Sequence, residues 1–233
     1  MPTHQKYRYY DFIMAGFVAI LLLSNLIGAA KVATLDLPLI GAFTFGAGVL
    51  FFPLSYVIGD VLTEVYGYAR ARRVVWAGVV GMIFMSFMSW VVVTLPAADG
   101  WGGQDAYLAV FGQTPRIVVA SLIAFWAGEL VNAYIMARMK VWTKGKHLWT
   151  RTIGSTVFGQ GVDSLIFYPV AFLGVWPTEL VLTIMFSNFL LKVIWEAVLT
   201  PVTYKVVAFL KAREHEDFYD ENTDFTPFKI KAE

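Results

Sequence analysis

The feature that most constrains this chain is a series of apolar stretches, each about as long as a helix that crosses a lipid bilayer. A bilayer core of about 30 Å requires about 20 residues in a helix, because each residue adds about 1.5 Å. The stretches cover residues 12–30, 43–63, 74–95, 117–138, 152–173 and 180–208. They predict an all-α integral membrane protein, a single compact bundle of six transmembrane helices that forms a membrane transport domain over residues 1–210.

The composition supports the membrane class and argues against several others. Hydrophobic residues make up 58% of the chain and charged residues 15%, against about 25% charged residues in soluble domains. The net charge of +1 leaves no basic surface for a nucleic-acid partner. Cysteine is absent and the three histidines lie outside the apolar stretches, so we expect no metal site and no cofactor.

The basic residues alternate between the connections, which predicts an orientation. They are concentrated before the first stretch, at 70–73, at 138–151 and after the sixth stretch, whereas residues 96–115 and 174–179 have none. Cytoplasmic loops carry the excess of Lys and Arg, so both termini are predicted to be cytoplasmic. A cleaved signal peptide is the alternative for the first stretch, and its removal would leave five spans and break the alternation.

Two polar segments lie outside the predicted bundle. Residues 211–233 are predicted to form an acidic cytoplasmic tail, and we expect a solvated extension, with a partner-binding segment as the alternative. Residues 105–111 in the long third connection are predicted either as a short helix over the entrance or as a solvated loop with one helical turn.

Ionisable and amide side chains recur inside the apolar stretches at helical spacing. An ionised side chain at membrane depth costs about 2.5–3.5 kcal/mol on insertion scales, so such residues must face the bundle interior or a watery cavity. Four stretches carry them, three or four residues apart. The predicted site residues of this kind are Asp60, Glu64, Glu129, Asn132, Gln160, Asp163, Lys192 and Glu196. We expect these stripes to converge on one carboxylate-rich pocket near the middle of the bilayer.

Structural alternatives exist for the charged residues of these stripes. Lys192 and Glu196 are spaced i, i+4, so they can form an ion pair that serves only packing. Asp60 and Glu64 can instead pair with the arginines at 70–73.

Amide and aromatic side chains near the stripes also have two interpretations. Asn132 and Gln160 either hydrogen-bond between helices or read a ligand. Phe52 and Phe167 either belong to the core or stack on a flat ligand.

Three sequence blocks carry a resemblance to a known family. They are Phe52-Pro-Leu-Ser-Tyr-Val-Ile-Gly-Asp60-Val-Leu-Thr-Glu64-Val-Tyr66-Gly67, then Arg151-Thr-Ile-Gly-Ser155 with Gln160-Gly-Val-Asp163-Ser164, then Lys192 and Pro201. The chain resembles the queuosine precursor transporter family, also described as vitamin-uptake transporters similar to the substrate-binding subunits of energy-coupling-factor systems. The similarity extends over nearly the whole chain, from Asn25 and Lys31 to the tail.

The resemblance implies a protein of the bacterial inner membrane that is an importer and not an enzyme. Its implied substrate is 7-cyano-7-deazaguanine or the aminomethyl form, salvaged for queuosine in tRNA. A carboxylate of Asp60, Glu129 or Asp163 would accept the paired N–H donors of the guanine-like edge. Asn132 and Gln160 would hydrogen-bond to the carbonyl side of the base.

The resemblance also assigns expectations to residues at the edges of the site. Lys192 would balance charge or hydrogen-bond the ligand. Lys31 would cap the site from outside, with a snorkelling anchor at the membrane surface as the alternative. Asn25 joins the predicted substrate-binding residues as part of the resembling region.

The energy source is left open by the residues. The chain has no Gly-x-x-x-x-Gly-Lys-[Ser/Thr] phosphate loop, so it does not hydrolyse ATP through that motif. We expect secondary or facilitated transport, proton-linked through Glu64, Glu129 or Glu196. The alternatives are a separate ATPase module as partner and import of another vitamin or heterocycle; a homodimer is also left open.

Overall fold

The computed structural model describes residues 7–28, 31–38, 41–112 and 115–229, and helices dominate them. Helix α1 spans Tyr10–Leu23 and continues as a π-helical turn, Ser24–Gly28. A β-hairpin follows, with β1 at Val32–Leu37 and β2 at Gly41–Gly46, and a 3₁₀ turn at Ala47–Leu50 leads on. The remaining helices are α2 Phe52–Tyr66, α3 Tyr68–Thr94, α4 Gln104–Phe111, α5 Pro115–Trp142, α6 Leu148–Phe172 and α7 Thr178–Glu214.

Several of these helices have the length and hydropathy of membrane spans. Within the described residues, four segments qualify: Tyr10–Ile27, Tyr68–Thr94, Gln104–Trp142, which comprises α4 and α5, and Thr178–Glu214. The predicted class, a helical membrane protein, is therefore confirmed. The predicted second and fifth spans are not among the four; α2 has only 15 residues, about 22 Å, and α6 carries polar residues along its length.

The predicted second span is wrong at its beginning. Residues 41–46 form β2 and pair with β1 in an antiparallel hairpin, with Thr34 opposite Thr44. The helix begins only at Phe52, with Pro53 in its first turn, where the missing N–H of proline leaves no helical hydrogen bond unmade. A short apolar run before a helix cannot be assigned to helix or strand from its pattern alone, which explains the error.

The predicted loop around residues 70–73 is also wrong. Only Gly67 separates α2 from α3, so the arginines lie on the first turns of α3. Gly67 has a φ of +84°, a conformation that L side chains rarely adopt. A Cβ at this position would also collide with the ring of Phe218. The two helices can therefore join at a sharp corner with a single residue between them.

The expectation of a solvated tail is overturned, because the segment after α7 packs on the α2–α3 corner. The Asp220 carboxylate is 1% exposed and accepts a hydrogen bond of 3.1 Å from the backbone N–H of Tyr68. The indole N–H of Trp76 donates to the carbonyl of Pro227 at 2.9 Å. The first N–H groups of a helix have no intrahelical partner. The tail supplies such a partner at the start of α3, where Asp220 accepts from Tyr68. The predicted tail also begins later than expected, since α7 extends to Glu214.

Helices α5 and α6 approach closely at two glycines, which brings their polar stripes together. A Cβ on Gly159 would lie 2.7 Å from the Cβ of Asn132, and one on Gly128 would lie 2.9 Å from the Cβ of Asp163. Side chains larger than hydrogen would push the helices apart at this level.

The short helix predicted in the third connection is present as α4, Gln104–Phe111. Its residues are largely exposed, and it precedes the start of α5.

Candidate functional site

Polar side chains of α2, α5, α6 and α7 meet inside the bundle in three layers. We call the layer toward the hairpin outer, the layer toward the tail inner, and the layer between them middle. The outer layer contains Tyr56, Asp163, Tyr168, Asn188 and Lys192. The middle layer contains Asp60, Glu129, Asn132, Gln160 and Glu196. The inner layer contains Glu64, Lys140, Arg151, Lys211 and Asp217.

The outer layer is organised by an ion pair between α7 and α6. The ammonium of Lys192 donates to the Asp163 carboxylate at 2.6 Å. The same ammonium lies 5.5 Å from the centre of the Tyr56 ring, a cation–π distance. Lys192 therefore pairs with Asp163 on another helix and not with Glu196 on its own, which corrects the packing-pair alternative.

The hairpin lies next to the outer layer. The amide N–H of Asn188 donates to the Tyr168 hydroxyl at 2.5 Å, and its carbonyl oxygen has no hydrogen-bond partner among the described residues. A Cβ added to Gly46, the last residue of β2, would lie 3.9 Å from the Asn188 amide nitrogen. The end of the hairpin thus covers this side of the layer.

The middle layer holds three buried carboxyl groups on three helices. The amide of Asn132 donates to one oxygen of Asp60 at 2.7 Å, and the hydroxyl of Ser155 approaches the same oxygen at 3.5 Å. The second Asp60 oxygen and both oxygens of Glu196 have no hydrogen-bond partner within the described ranges. Glu196 and Asp60 are each 0% exposed.

Further oxygens of the middle layer are unpaired, and a small cavity adjoins them. In the part of the chain that the structure describes, one oxygen each of Glu129, Asn132 and Gln160 has no partner. The cavity that adjoins Gly59, Glu129 and Asn132 measures about 10 Å³, enough for one water molecule. A ligand larger than water enters this cavity only if the helices move apart.

The inner layer is a network of charges that includes the tail. The guanidinium of Arg151 donates to both oxygens of Glu64, at 3.0 and 3.2 Å, and Lys211 donates to Glu64 at 2.7 Å. Asp217 accepts from Lys140 at 2.5 Å and lies 2.7 Å from Lys211. The alternative that paired Glu64 with the arginines at 70–73 is therefore wrong, because its partners come from α6 and α7 and, at 3.7 Å, from Lys140 on α5.

Asp217 carries a shifted pKa because of these contacts. Partial burial raises the pKa of its carboxyl, but the hydrogen bonds from Lys140 and Lys211 outweigh that effect, so the pKa lies below its ordinary value of 3.8. For Asp220 the balance is reversed. Burial raises the pKa of its carboxyl and outweighs the hydrogen bonds from Thr223 and the Tyr68 backbone, which lower it.

Four of the predicted site residues lie outside the three layers. Phe52 is half-buried at the margin of the hydrophobic core, and the ring of Phe167 packs 5.1 Å from that of Tyr168. Asn25 lies in the π-helical turn, where its amide donates to the Leu21 carbonyl at 2.9 Å. Lys31 precedes β1 and is exposed.

Other residues in the layers were not among the predicted site residues. Tyr56 and Asn188 stand four residues before Asp60 and Lys192, so helical spacing is the signal that identifies them. Arg151 and Lys211 read as loop charges in the sequence, and only the fold reveals that they converge on Glu64.

The chain was compared with known protein families. The model of a family described as putative vitamin uptake transporter matches residues 46–206. This range includes every residue of the outer and middle layers.

Three relatives are bacterial proteins. The chain is 34% identical over 146 residues to the probable queuosine precursor transporter of Bacillus subtilis (strain 168), covering 62% of this chain and 64% of that protein. It is 28% identical over 126 residues to the queuosine precursor transporter of Escherichia coli (strain K12), covering 54% of each. For the probable queuosine precursor transporter of Haemophilus influenzae (strain ATCC 51907 / DSM 11121 / KW20 / Rd), identity is 26% over 145 residues, 60% of this chain and 59% of that protein. The chain thus covers less than two thirds of the length of these relatives.

No solved structure is detectably similar to the chain. The membrane-spanning helices and the bacterial relatives agree with the predicted location, a multi-pass protein of the bacterial inner (cytoplasmic) membrane. Since the family model covers most of the chain and all of the outer and middle layers, the chain belongs to the family of putative vitamin uptake transporters.

Proposed function

We propose that this protein imports a queuosine precursor base, 7-cyano-7-deazaguanine or its aminomethyl form, by secondary or facilitated transport. The names of the three relatives support the substrate. The observation that carries the proposal is the set of buried oxygens without partners in the middle layer, next to the Lys192–Asp163 pair. Buried polar groups normally have hydrogen-bond partners, so these oxygens are available to a ligand rich in N–H groups.

The chemistry of a deazaguanine suits this arrangement. Its guanine-like edge has ring and exocyclic N–H donors side by side, which Glu129 or Asp163 accepts through a carboxylate. The side-chain amide of Gln160 hydrogen-bonds to the adjacent polar edge of the base. The ring of Tyr56 offers a stacking surface, and the aminomethyl form adds a positive charge that suits the carboxyl groups.

A transport cycle requires the site to open, and the two ends of the bundle supply the gates. The hairpin covers the outer layer, and the tail and the ion network cover the inner layer. In this proposal the structure corresponds to an occluded state, in which α2 and α6 cross the membrane within a six-span bundle with both termini cytoplasmic. The polar faces of α2 and α6 are then shielded from lipid by their neighbours.

A second candidate is import of another vitamin-sized heterocycle, which the description of the family favours. For either substrate, the protein could work with a separate ATPase module or as a homodimer. Uptake that survives ATP depletion but stops when the proton gradient collapses would exclude the ATPase module, and the reverse result would require it.

The test is equilibrium binding and proteoliposome uptake of radiolabelled 7-cyano-7-deazaguanine, with flavin and biotin as competitors. We expect saturable deazaguanine binding that Asp163→Asn and Lys192→Met both weaken by at least about tenfold, or about 1.4 kcal/mol. Glu179→Gln is the matched control, because Glu179 lies exposed on the first turn of α7. Binding of flavin or biotin without binding of the deazaguanine would favour the second candidate.

A further inference from the structure

The charges of the outer and inner layers are balanced by opposite charges, and those of the middle layer are not. Asp163 has Lys192 as its partner, and Glu64 has Arg151 and Lys211. Asp60 and Glu196 have no ammonium or guanidinium group within ion-pair distance among the residues that the structure describes. The middle layer therefore carries acidic groups, Asp60 and Glu196 among them, that need another source of charge compensation.

The two carboxyl groups are fully buried, on the neighbouring helices α2 and α7. Both residues are 0% exposed, and their side chains are close enough to interact electrostatically. Asp60 receives hydrogen bonds only on one oxygen, from the uncharged Asn132 and Ser155. Both oxygens of Glu196 are without a partner in the described part of the chain. Two buried carboxylates that no cation accompanies repel each other and lose their hydration.

A proton compensates this charge better than a metal ion does. In the described residues no group of three or more His, Cys, Asp or Glu side chains is arranged to hold a metal. The groups that contact Asp60 are an amide and a hydroxyl, which supply hydrogen bonds and no further negative charge. A proton needs only a carboxyl oxygen without a hydrogen-bond partner, and within the described residues each of the two groups supplies one.

A hydroxyl pair lies on the inner side of Glu196. Thr200 follows Glu196 by one helical turn and donates to the Glu196 backbone carbonyl at 2.8 Å. Its hydroxyl oxygen lies 3.5 Å from that of Thr152 on α6. The pair places polar oxygens between the middle layer and the inner layer, since Thr152 is adjacent to Arg151 in the sequence.

The four helices packed around the pair carry further ionisable side chains in the three layers. They are Tyr56 and Glu64 of α2, Glu129 and Lys140 of α5, Arg151, Asp163 and Tyr168 of α6, and Lys192 and Lys211 of α7. Glu64, Arg151, Asp163 and Lys192 are held in the ion pairs described above, which leaves Glu129 as the further carboxyl group near the pair.

We propose that Asp60 and Glu196 form the proton site that couples import to the proton gradient. A proton from outside forms an O–H bond on one of the two carboxyls, the loaded carrier turns inward, and that bond breaks when the proton leaves on the inner side. The coupling rests on the proposed function, whereas the proton site itself does not.

The first experiment measures uptake of neutral 7-cyano-7-deazaguanine into proteoliposomes with the membrane potential clamped at zero. With one proton per substrate, a gradient of one pH unit supports about tenfold accumulation. We expect this accumulation in the unmodified protein and in Glu179→Gln, and a ratio of about one in Glu196→Gln. The cooperative thermal unfolding of purified Glu196→Gln establishes that the variant is folded, and equilibrium binding of the deazaguanine to it separates a loss of coupling from a loss of binding. Gradient-driven accumulation by Glu196→Gln, or accumulation that follows a sodium gradient and not the pH gradient, would overturn the proposal.

The second experiment does not depend on the substrate. Infrared difference spectra of the purified protein after a pH jump report the carbonyl stretch of protonated carboxyl groups. We expect one buried band that Glu196→Gln removes and Asp60→Asn removes or shifts, with Glu179→Gln unchanged. If the unmodified protein exchanges no deazaguanine but shows this band, the substrate proposal fails and the proton site stands. If the band is the same in Glu196→Gln and Asp60→Asn as in the unmodified protein, the proton site is wrong.

Discussion

Lys192 on α7 and Asp163 on α6 form an ion pair of 2.6 Å, with the ammonium facing the ring of Tyr56. Their side chains are 9% and 19% exposed, so the pair is largely shielded from water. It links α6 to α7 in the outer layer, together with the hydrogen bond from Asn188 to Tyr168.

Removal of one member of this pair should be more harmful than removal of both. Breaking a buried pair costs about 3–5 kcal/mol because one charge is left without compensation, whereas replacing both members with apolar groups is often close to neutral. We expect Lys192→Met and Asp163→Leu to lower the free energy of unfolding individually, toward the lower end of that range. The double variant should recover at least half of the loss. Unfolding in detergent measured as a double-mutant cycle tests this, and additive losses would contradict it.

Alanine at Gly67 should destabilise the α2–α3 corner. The φ of +84° costs about 1–3 kcal/mol for a residue with a Cβ, and the new methyl group collides with Phe218. Gly16→Ala is the matched control, since nothing lies within 4 Å of a Cβ there, and alanine favours a helix interior. We expect Phe218→Ala to rescue Gly67→Ala only in part, because it removes the collision and leaves the backbone strain. Thermal unfolding of the four proteins measures this, and equal behaviour of the two glycine variants would contradict it.

Alanine at Gly159 should separate α5 from α6 and weaken ligand binding. The added Cβ would lie 2.7 Å from the Cβ of Asn132, so Asn132 must move away from Asp60. Gly161→Ala on the same helix is the control, because its nearest neighbour, the Phe189 ring, lies at an ordinary contact distance of 3.9 Å. We expect deazaguanine affinity to fall by at least about tenfold in Gly159→Ala and to change little in Gly161→Ala. An equal effect in both variants would show that the close approach does not shape the site.

Acid should loosen the docked tail through Asp217. Its pKa is lowered in the folded protein, so its contribution to stability is complete above the ordinary value of 3.8 and is lost as the pH falls through the lower folded value. Asp220 acts with the opposite sign, since burial raises its pKa and its contribution is lost as the pH rises. We therefore expect tail release on acidification in the unmodified protein and a weaker acid dependence in Asp217→Asn.

The absence of cysteine from the sequence makes tail release easy to measure. Asn222 is exposed, so Asn222→Cys accepts a fluorophore that reports tail release against pH. Glu221→Gln, also an exposed tail residue, is the control. Acid release that persists unchanged in Asp217→Asn would show that another group governs docking.

Helical spacing was sufficient to identify most of the polar side chains that meet inside the bundle. Asp60, Glu129, Asp163 and Lys192 each lie on an apolar helix, where the cost of exposing polar groups to lipid forces them inward. Their convergence could therefore be predicted from single helices. Which groups pair could not be predicted, because the i, i+4 partner of Lys192 on its own helix competed with Asp163 on α6.

The errors lie where tertiary contacts override local pattern. The hairpin at 32–46 is apolar, and its pairing depends on a partner strand that the pattern of either segment alone does not reveal. The tail has the composition of a solvated segment, yet it packs on a corner created by Gly67, between two helices that the sequence presents as separated by a loop. The convergence of Arg151 and Lys211 on Glu64 likewise depends on how α6 and α7 lie in the fold.

The packing of the tail on the α2–α3 corner has a consequence for biogenesis. Ribosomes synthesise residues 215–229 only after α7. The hydrogen bond from the backbone N–H of Tyr68 to Asp220 therefore cannot form until every helix has been synthesised. The corner near the start of the chain therefore matures last, and nascent chains arrested before residue 215 should leave it open to proteases.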